Sequence, residues 1–304
     1  MMGVTVMLGQ RFFLRILMVI LAALIFWLIR PIESSAFDEG QREIIYGITS
    51  GNGYATSDLL AAIKPLSKPV WTRIVFDEGV SAEDYEASTQ AIHVISPVMG
   101  LVADSSTMKS YSVSEHRQRY KSYLDKLSGF VDLWEIGNEV NGSWTGSTAE
   151  VVLKITDAFN LAKSRHQKTA LTLYFNTPCD PHSDREMFTW AKDNIESPMK
   201  DELDYVWISY YEDDCPGPDP DWNDVFKKLG EIFPKSKLGF GEVGTNIADR
   251  KARVLNQYYS LSQPGRITHP RFMGGYFYWY FFEDMVPETK PLWSVFNNLL
   301  KSLP

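Results

Sequence analysis

Residues 131–140 read VDLWEIGNEV. The first seven have the apolar and aromatic density of a buried strand, and Gly137-Asn138 then break the run just before Glu139. A buried carboxylate is costly unless something compensates it, so Glu139 is either a loop acid facing water or an acid held at the mouth of a site. The surroundings of this segment decide the fold. Comparable apolar runs occupy 44–50, 70–76, 91–103, 170–175, 205–211, 237–242 and 274–282. Between and after them lie amphipathic segments at 56–66, 81–92, 114–127, 148–166, 183–195, 221–233, 246–261 and 291–303. Ser57, Ser81, Ser114, Thr148 and Ser183 stand where helix N-caps are expected.

Strand–helix repetition implies parallel strands joined by right-handed crossovers. Eight such units between residues 40 and 304 match an α/β fold of the closed (β/α)8 barrel (TIM barrel) type in count and size. A doubly wound open sheet is the other solution to this alternation. Its Gly-rich phosphate loop is missing, because Gly51-Asn52-Gly53 is a turn signal and not a GxGxxG fingerprint. In a barrel the functional residues belong at the C-terminal strand ends.

The 304 residues are 44% hydrophobic and 22% charged, a globular composition. The net charge of −8 and the lack of a Lys/Arg cluster exclude nucleic acid as a partner. Aromatics reach 13%, a heavy core or a supply of stacking platforms. Residues 16–29, ILMVILAALIFWLI, follow Arg11 and Arg15 and precede Arg30-Pro31. Two readings stand: a signal peptide ending at residue 36, with Ser34 and Ala36 at the small-residue positions, or an uncleaved membrane anchor over about 12–29. Both export the remainder, so the expected organisation is a leader or anchor at 1–36 and a barrel domain at 37–304 outside the cytosol, with membrane association depending on cleavage. Cys179 and Cys215 fall in adjacent barrel loops and are a disulfide candidate in an exported protein. A metal site built from Cys179, Asp180, His182, Asp213 and Cys215 is the competing arrangement, with a spacing that matches no standard zinc pattern. No GxSxG or HExxH motif is present, and no metal or organic cofactor is implied. Asn141-Gly142-Ser143 forms a glycosylation sequon.

Asn138-Glu139 just past strand four faces a second acid, Glu242, that closes strand seven in GFGEVGT. Strands four and seven stand nearly opposite one another, so the two carboxylates can converge over the barrel mouth. Paired acids are what glycoside hydrolysis needs: one protonated to release the leaving oxygen, one ionised to attack, roughly 5–5.5 Å apart when the anomer is retained. Proximity itself drives their pKa values apart.

With Asn-Glu at the end of strand four and Glu at the end of strand seven, residues 40–304 resemble clan A of the retaining glycoside hydrolases. The motif is specific for the clan and not for a family within it. The resemblance implies Glu139 as general acid/base and Glu242 as nucleophile, with Asn138 on the sugar 2-hydroxyl. It also implies Arg73 keeping Glu242 ionised, Tyr211 contacting the nucleophile, and Trp279 as the floor of the −1 sugar site. A carbohydrate partner follows, cleaved by double displacement; a non-catalytic carbohydrate-binding or envelope-assembly barrel is the alternative. The sequence departs from the clan in having Ser209 where many members carry His, and no His ends strand three. Trp144, Trp222 and Phe282 are candidates for further subsites or for loop packing.

Overall fold

Eight strands close into an all-parallel barrel in sequence order: β1 (Ile45–Ser50), β2 (Trp71–Val75), β3 (Val98–Leu101), β4 (Leu133–Gly137), β5 (Thr169–Tyr174), β6 (Tyr205–Tyr210), β7 (Lys237–Val243) and β8 (Phe272–Tyr278), with β8 pairing back onto β1. The expected (β/α)8 fold is the observed one. This is a computed structural model that describes residues 43–304 except 52–54 and 216. The leader or anchor expected at 1–36 lies outside the described residues. Among them, no helix is long and apolar enough to cross a membrane.

The helices are α1 (Thr56–Ile63), α2 (Ala82–His93), α3 (Val113–Leu127), α4 (Thr148–Lys163), α5 (Met187–Asn194), α6 (Ser197–Glu202), α7 (Trp222–Ile232), α8 (Lys251–Tyr259), α9 (Phe281–Met285) and α10 (Pro291–Ser302). Two strands, β3 and β8, stop several residues short of an end of their apolar runs. Residues 91–93 finish α2, and the chain after Tyr278 turns and enters α9. Ser81 caps α2 in a reciprocal box with Asp84. The caps of α3 and α4 fall on Ser112 and Ser147, because these are the hydroxyls that reach the amides of Glu115 and Glu150. Ala55 and Glu186 occupy the cap positions of α1 and α5.

Each strand is buried on both faces, so alternation sorts side chains between two cores. On β6, Val206, Ile208 and Tyr210 point outward into the large helix-facing core, while Tyr205 and Trp207 fill the barrel floor. Gly239 and Gly241 on β7 make space for that indole. A Cβ at Gly241 would stand 2.6 Å from the Trp207 Cβ, and one at Gly239 would stand 2.8 Å from its ring. Gly241 also changes the phase of β7. Ile208 pairs with Phe240 but Ser209 pairs with Glu242, so one residue bulges out and Glu242 turns toward the interior that Phe240 avoids.

Cys179 and Cys215 are bonded, with Cα atoms 5.3 Å apart, tying the β5–α5 loop to the β6–α7 loop. The competing metal arrangement thereby loses both thiolates, and Asp213 is taken by Thr245 and Arg250. A disulfide of this kind belongs to an oxidising, extracytosolic setting.

Candidate active site

Arg73 lies inside β2, fully buried, and its guanidinium organises the barrel mouth. Nε and Nη2 donate to the two oxygens of Glu135 at 2.7 and 2.9 Å, and Nη1 donates to Glu242 Oε2 at 2.7 Å. Thr172 Oγ1 donates to Glu135 Oε1 at 2.5 Å. Glu135 is therefore satisfied twice over, by a bidentate cation and a hydroxyl. Burial works against the charge on Arg73, and the carboxylates of Glu135 and Glu242 overrule it, so the guanidinium stays charged.

Glu242 receives a second donor, the Tyr211 hydroxyl, at 2.7 Å on Oε1. Asn138 Nδ2 lies 3.4 Å from Glu242 Oε2 and 3.3 Å from Asp104 Oδ2. Its Oδ1 is buried and has no hydrogen-bond partner among the described residues. Trp279 follows the last residue of β8, and its ring centroid is 5.5 Å from the Arg73 guanidinium carbon.

Glu139 reaches the same place by a strained turn. Its φ of 48° is left-handed, unusual for a residue with a side chain, and its carbonyl accepts from Gly142 N at 2.7 Å. Ser209 Oγ donates to Oε1 at 2.6 Å and Ser105 Oγ to Oε2 at 2.7 Å. Ser209 is the register partner of Glu242 across β6–β7, so the Glu139 carboxyl hangs over the seam that holds Glu242. No cation pairs directly with Glu139 among the described residues.

Burial is the first cause of shift at both acids. It raises the Glu139 carboxyl, with the two serine hydroxyls pulling back and Asp104 pushing further. It raises the Glu242 carboxyl as well, with Arg73 opposing and Glu139 and Asp104 adding to the rise. The two titrate as a coupled pair that keeps one proton near neutrality. Geometry locates the charge. Glu242 faces a guanidinium and a phenol, whereas Glu139 faces two neutral hydroxyls, so the anion belongs on Glu242 and the proton on Glu139.

All six residues expected from the sequence, Arg73, Asn138, Glu139, Tyr211, Glu242 and Trp279, meet at this one mouth. Glu135, Asp104, Ser105 and Thr172 join them without having been singled out by the sequence. Glu135 sits in the inward phase of β4, two residues from Leu133 of the floor, and that alternation was available. Asp104-Ser105 follows β3 in LVADSS, where the strand-end rule would have found it. Trp222 is core, packed against Phe175, Tyr210 and Phe240, and Phe282 lies over Gly51. Trp144 is exposed at 37%. The sequon at Asn141 is closed, because that amide is buried and bonded to the chain at Tyr174 and Arg185.

No family model matches this sequence, and no curated protein matches it. Solved structures do. A Gas2 structure in complex with a numbered compound superposes at TM-score 0.59 and 14% identity, over 88% of this chain and 67% of that one. A mutant of Saccharomyces cerevisiae Gas2p in complex with laminaritetraose and laminaripentaose gives 0.58 and 16%, over 88% and 65%. The same protein in complex with laminaripentaose gives 0.56 and 16%, over 88% and 66%. The barrel is what they share. This chain spans about two thirds of the length of those structures.

Proposed function

We propose that the chain is a retaining glycoside hydrolase of clan A, exported from the cytosol and acting on an oligo- or polysaccharide. Glu242 attacks the anomeric carbon and the bond to the leaving oxygen breaks, while Glu139 delivers its proton to that oxygen. Glu139, now ionised, takes a proton from water, whose oxygen displaces Glu242 and releases the sugar with its anomer retained. Arg73 and Tyr211 keep Glu242 anionic and aimed. Asn138 offers its unpartnered Oδ1 to the sugar 2-hydroxyl, and Trp279 gives the ring a face to stack on. The laminari-oligosaccharides held by the structural neighbours make β-1,3-linked glucose oligomers the first substrates to test. The segment at 12–29 either anchors the enzyme or leaves with the leader.

One observation carries this reading. A buried acid clamped by a cation and a phenol stands beside a second acid that has neither, on opposite strands of one barrel mouth. That asymmetry is the division of labour a double displacement requires.

The test is Glu242→Ala on laminaripentaose and a panel of other glycans. We expect kcat to fall by about 10⁴-fold or more, with azide restoring turnover as a glycosyl azide of inverted anomer. Unchanged hydrolysis removes Glu242 from the mechanism. Binding without new reducing ends in the unaltered chain would favour the non-catalytic alternative.

A further inference from the structure

The loop after β4 carries more than Glu139. Trp144 lies in a single 3-10 turn, Ser143–Thr145, and is the one aromatic among the strongly exposed large apolar side chains of the described residues. Its ring meets Tyr174, the last residue of β5, edge to face at 5.1 Å between centroids. An exposed indole on a solvent-swept loop ordinarily has several rotamers to lose on binding. Here the loop is fastened at both ends. Asn141 Oδ1 accepts from Tyr174 N at 2.8 Å and its Nδ2 donates to Tyr174 O at 2.9 Å, stapling the turn that holds Glu139 to the strand that holds Tyr174. Arg185 donates from Nη1 to the Gly142 carbonyl at 2.7 Å and from Nη2 to that of Gly146 at 2.8 Å, bracketing Trp144 from both sides. At Gly142 a Cβ would meet the indole at 2.5 Å, so glycine lets the ring lie across the turn. Tyr174 stands two residues beyond Thr172, in the inward phase of β5, which places it toward the mouth, and burial raises its phenol to about 12.

This bracing fixes an aromatic pair relative to Glu139. The acid must touch the glycosidic oxygen, and Glu242 must approach the anomeric carbon from the opposite direction. The leaving sugar therefore lies on the side of Glu139 away from Trp279, over the loops of β4 and β5. We infer that Trp144 and Tyr174 form the binding platform for the leaving sugar, a pyranose stacked by its CH face on the indole, and so select substrates extended beyond the cleaved bond. This rests on the proposed glycosidase reading and names its leaving-group subsite.

The test compares two substrates that differ only beyond the cleaved bond. Laminaripentaose places sugars on the platform, whereas β-laminaribiosyl fluoride has a leaving group too small to reach it. For Trp144→Ala we expect kcat/KM on the pentasaccharide to fall by about tenfold or more, and kcat/KM on the fluoride to hold. Trp144→Phe, which keeps a ring, recovers most of the loss. An equal fall on both substrates makes Trp144 merely structural, and no fall on either leaves the platform without a role; each overturns the inference. A binding measurement separates it from the catalytic reading. If the unaltered chain binds laminaripentaose without turning it over, the glycosidase reading fails alone, and weaker binding by Trp144→Ala still supports the platform. If the unaltered chain binds neither laminaripentaose nor any other glycan of the panel, both fail.

Discussion

Two layers of the same barrel interior are equally buried and opposite in chemistry. The floor is filled by Ile45, Met99, Leu133, Ala170, Tyr205, Trp207 and Phe277, side chains from β1, β3, β4, β5, β6 and β8. One layer higher stand Arg73 on β2, Glu135 on β4, Thr172 on β5 and Ser209 on β6, with Glu242 brought in by the bulge on β7. The floor is packed as an apolar core, although the buried Trp207 Nε1 has no hydrogen-bond partner among the described residues. The upper layer is ionic, holding one guanidinium against Glu135 and Glu242, a third acid, Glu139, with no cation of its own, and an asparagine oxygen with no partner. Apolar burial stabilises through area and needs no particular geometry of charge. An ionic layer stabilises little after its desolvation is counted, so its composition has to be explained by what it does.

The largest expected effect sharpens that contrast. Arg73→Met should cost about 3–5 kcal/mol of folding stability at pH 8, because it leaves Glu135 and Glu242 buried without a cation. The loss should shrink at pH 4, where the Glu242 carboxyl, already raised by burial, can take up a proton. Leu133→Ala in the floor should cost about 2–5 kcal/mol at either pH. Urea unfolding at the two pH values measures both, and a pH-independent loss at Arg73 would erase the distinction between the layers.

A smaller effect comes from the coupled acids. Their carboxyls are raised in the folded state, so the folded chain keeps a proton that the unfolded chain has released. Stability from this source is fully present below the ordinary glutamate pKa, about 4.3, and is lost as pH rises through the raised range in which the pair gives up its shared proton. For one proton the slope reaches at most about 1.4 kcal/mol per pH unit. Glu242→Gln removes the coupling, so the variant should be the more stable protein at pH 8 and gain nothing at pH 4. Parallel stability curves for the two proteins would mean that the pair holds no shared proton.

How the layers could be read from sequence differs in the same way. Strand–helix alternation announces the barrel, the strand-end rule leads to Asn138 and Glu139, and Tyr211 follows only from the resemblance to the clan. Glu242 was found by its position near the end of β7, although simple alternation from Phe240 would have sent it outward; the bulge at Gly241 is a pairing event that no period-two pattern displays. Arg73 was legible as a partner of the nucleophile, but its stronger attachment is to Glu135, which read as ordinary strand content in LWEIG. The cap shifts to Ser112 and Ser147 have a similar origin, since neighbouring Ser and Thr residues compete and only backbone geometry selects the hydroxyl that reaches the third amide. The sequon misled for a tertiary reason: Asn141 satisfies every local rule for modification and is spent on bracing β5.

The subtlest test concerns the residue that breaks the clan pattern. Ser209 donates to Glu139 and belongs to the upper layer only through that hydroxyl, since its backbone continues the same strand as Trp207. A hydroxyl donor favours the ionised carboxylate, so it holds the Glu139 pKa lower than burial alone would. Removing it should raise that pKa. In the proposed mechanism Glu139 must be protonated to act, so Ser209→Ala should carry the alkaline limb of the kcat/KM profile to higher pH while kcat at the optimum falls by no more than about tenfold. Ser105→Ala should act in the same direction through the other oxygen. The acid limb, which reports Glu242, should stay close to its original place in both variants, because neither serine donates to that carboxyl. A floor substitution of equal size has no route to either limb. Movement of the alkaline limb to lower pH would show that the serines accept the acid's proton instead of donating to its anion, and their influence on Glu139 would then run in the opposite direction.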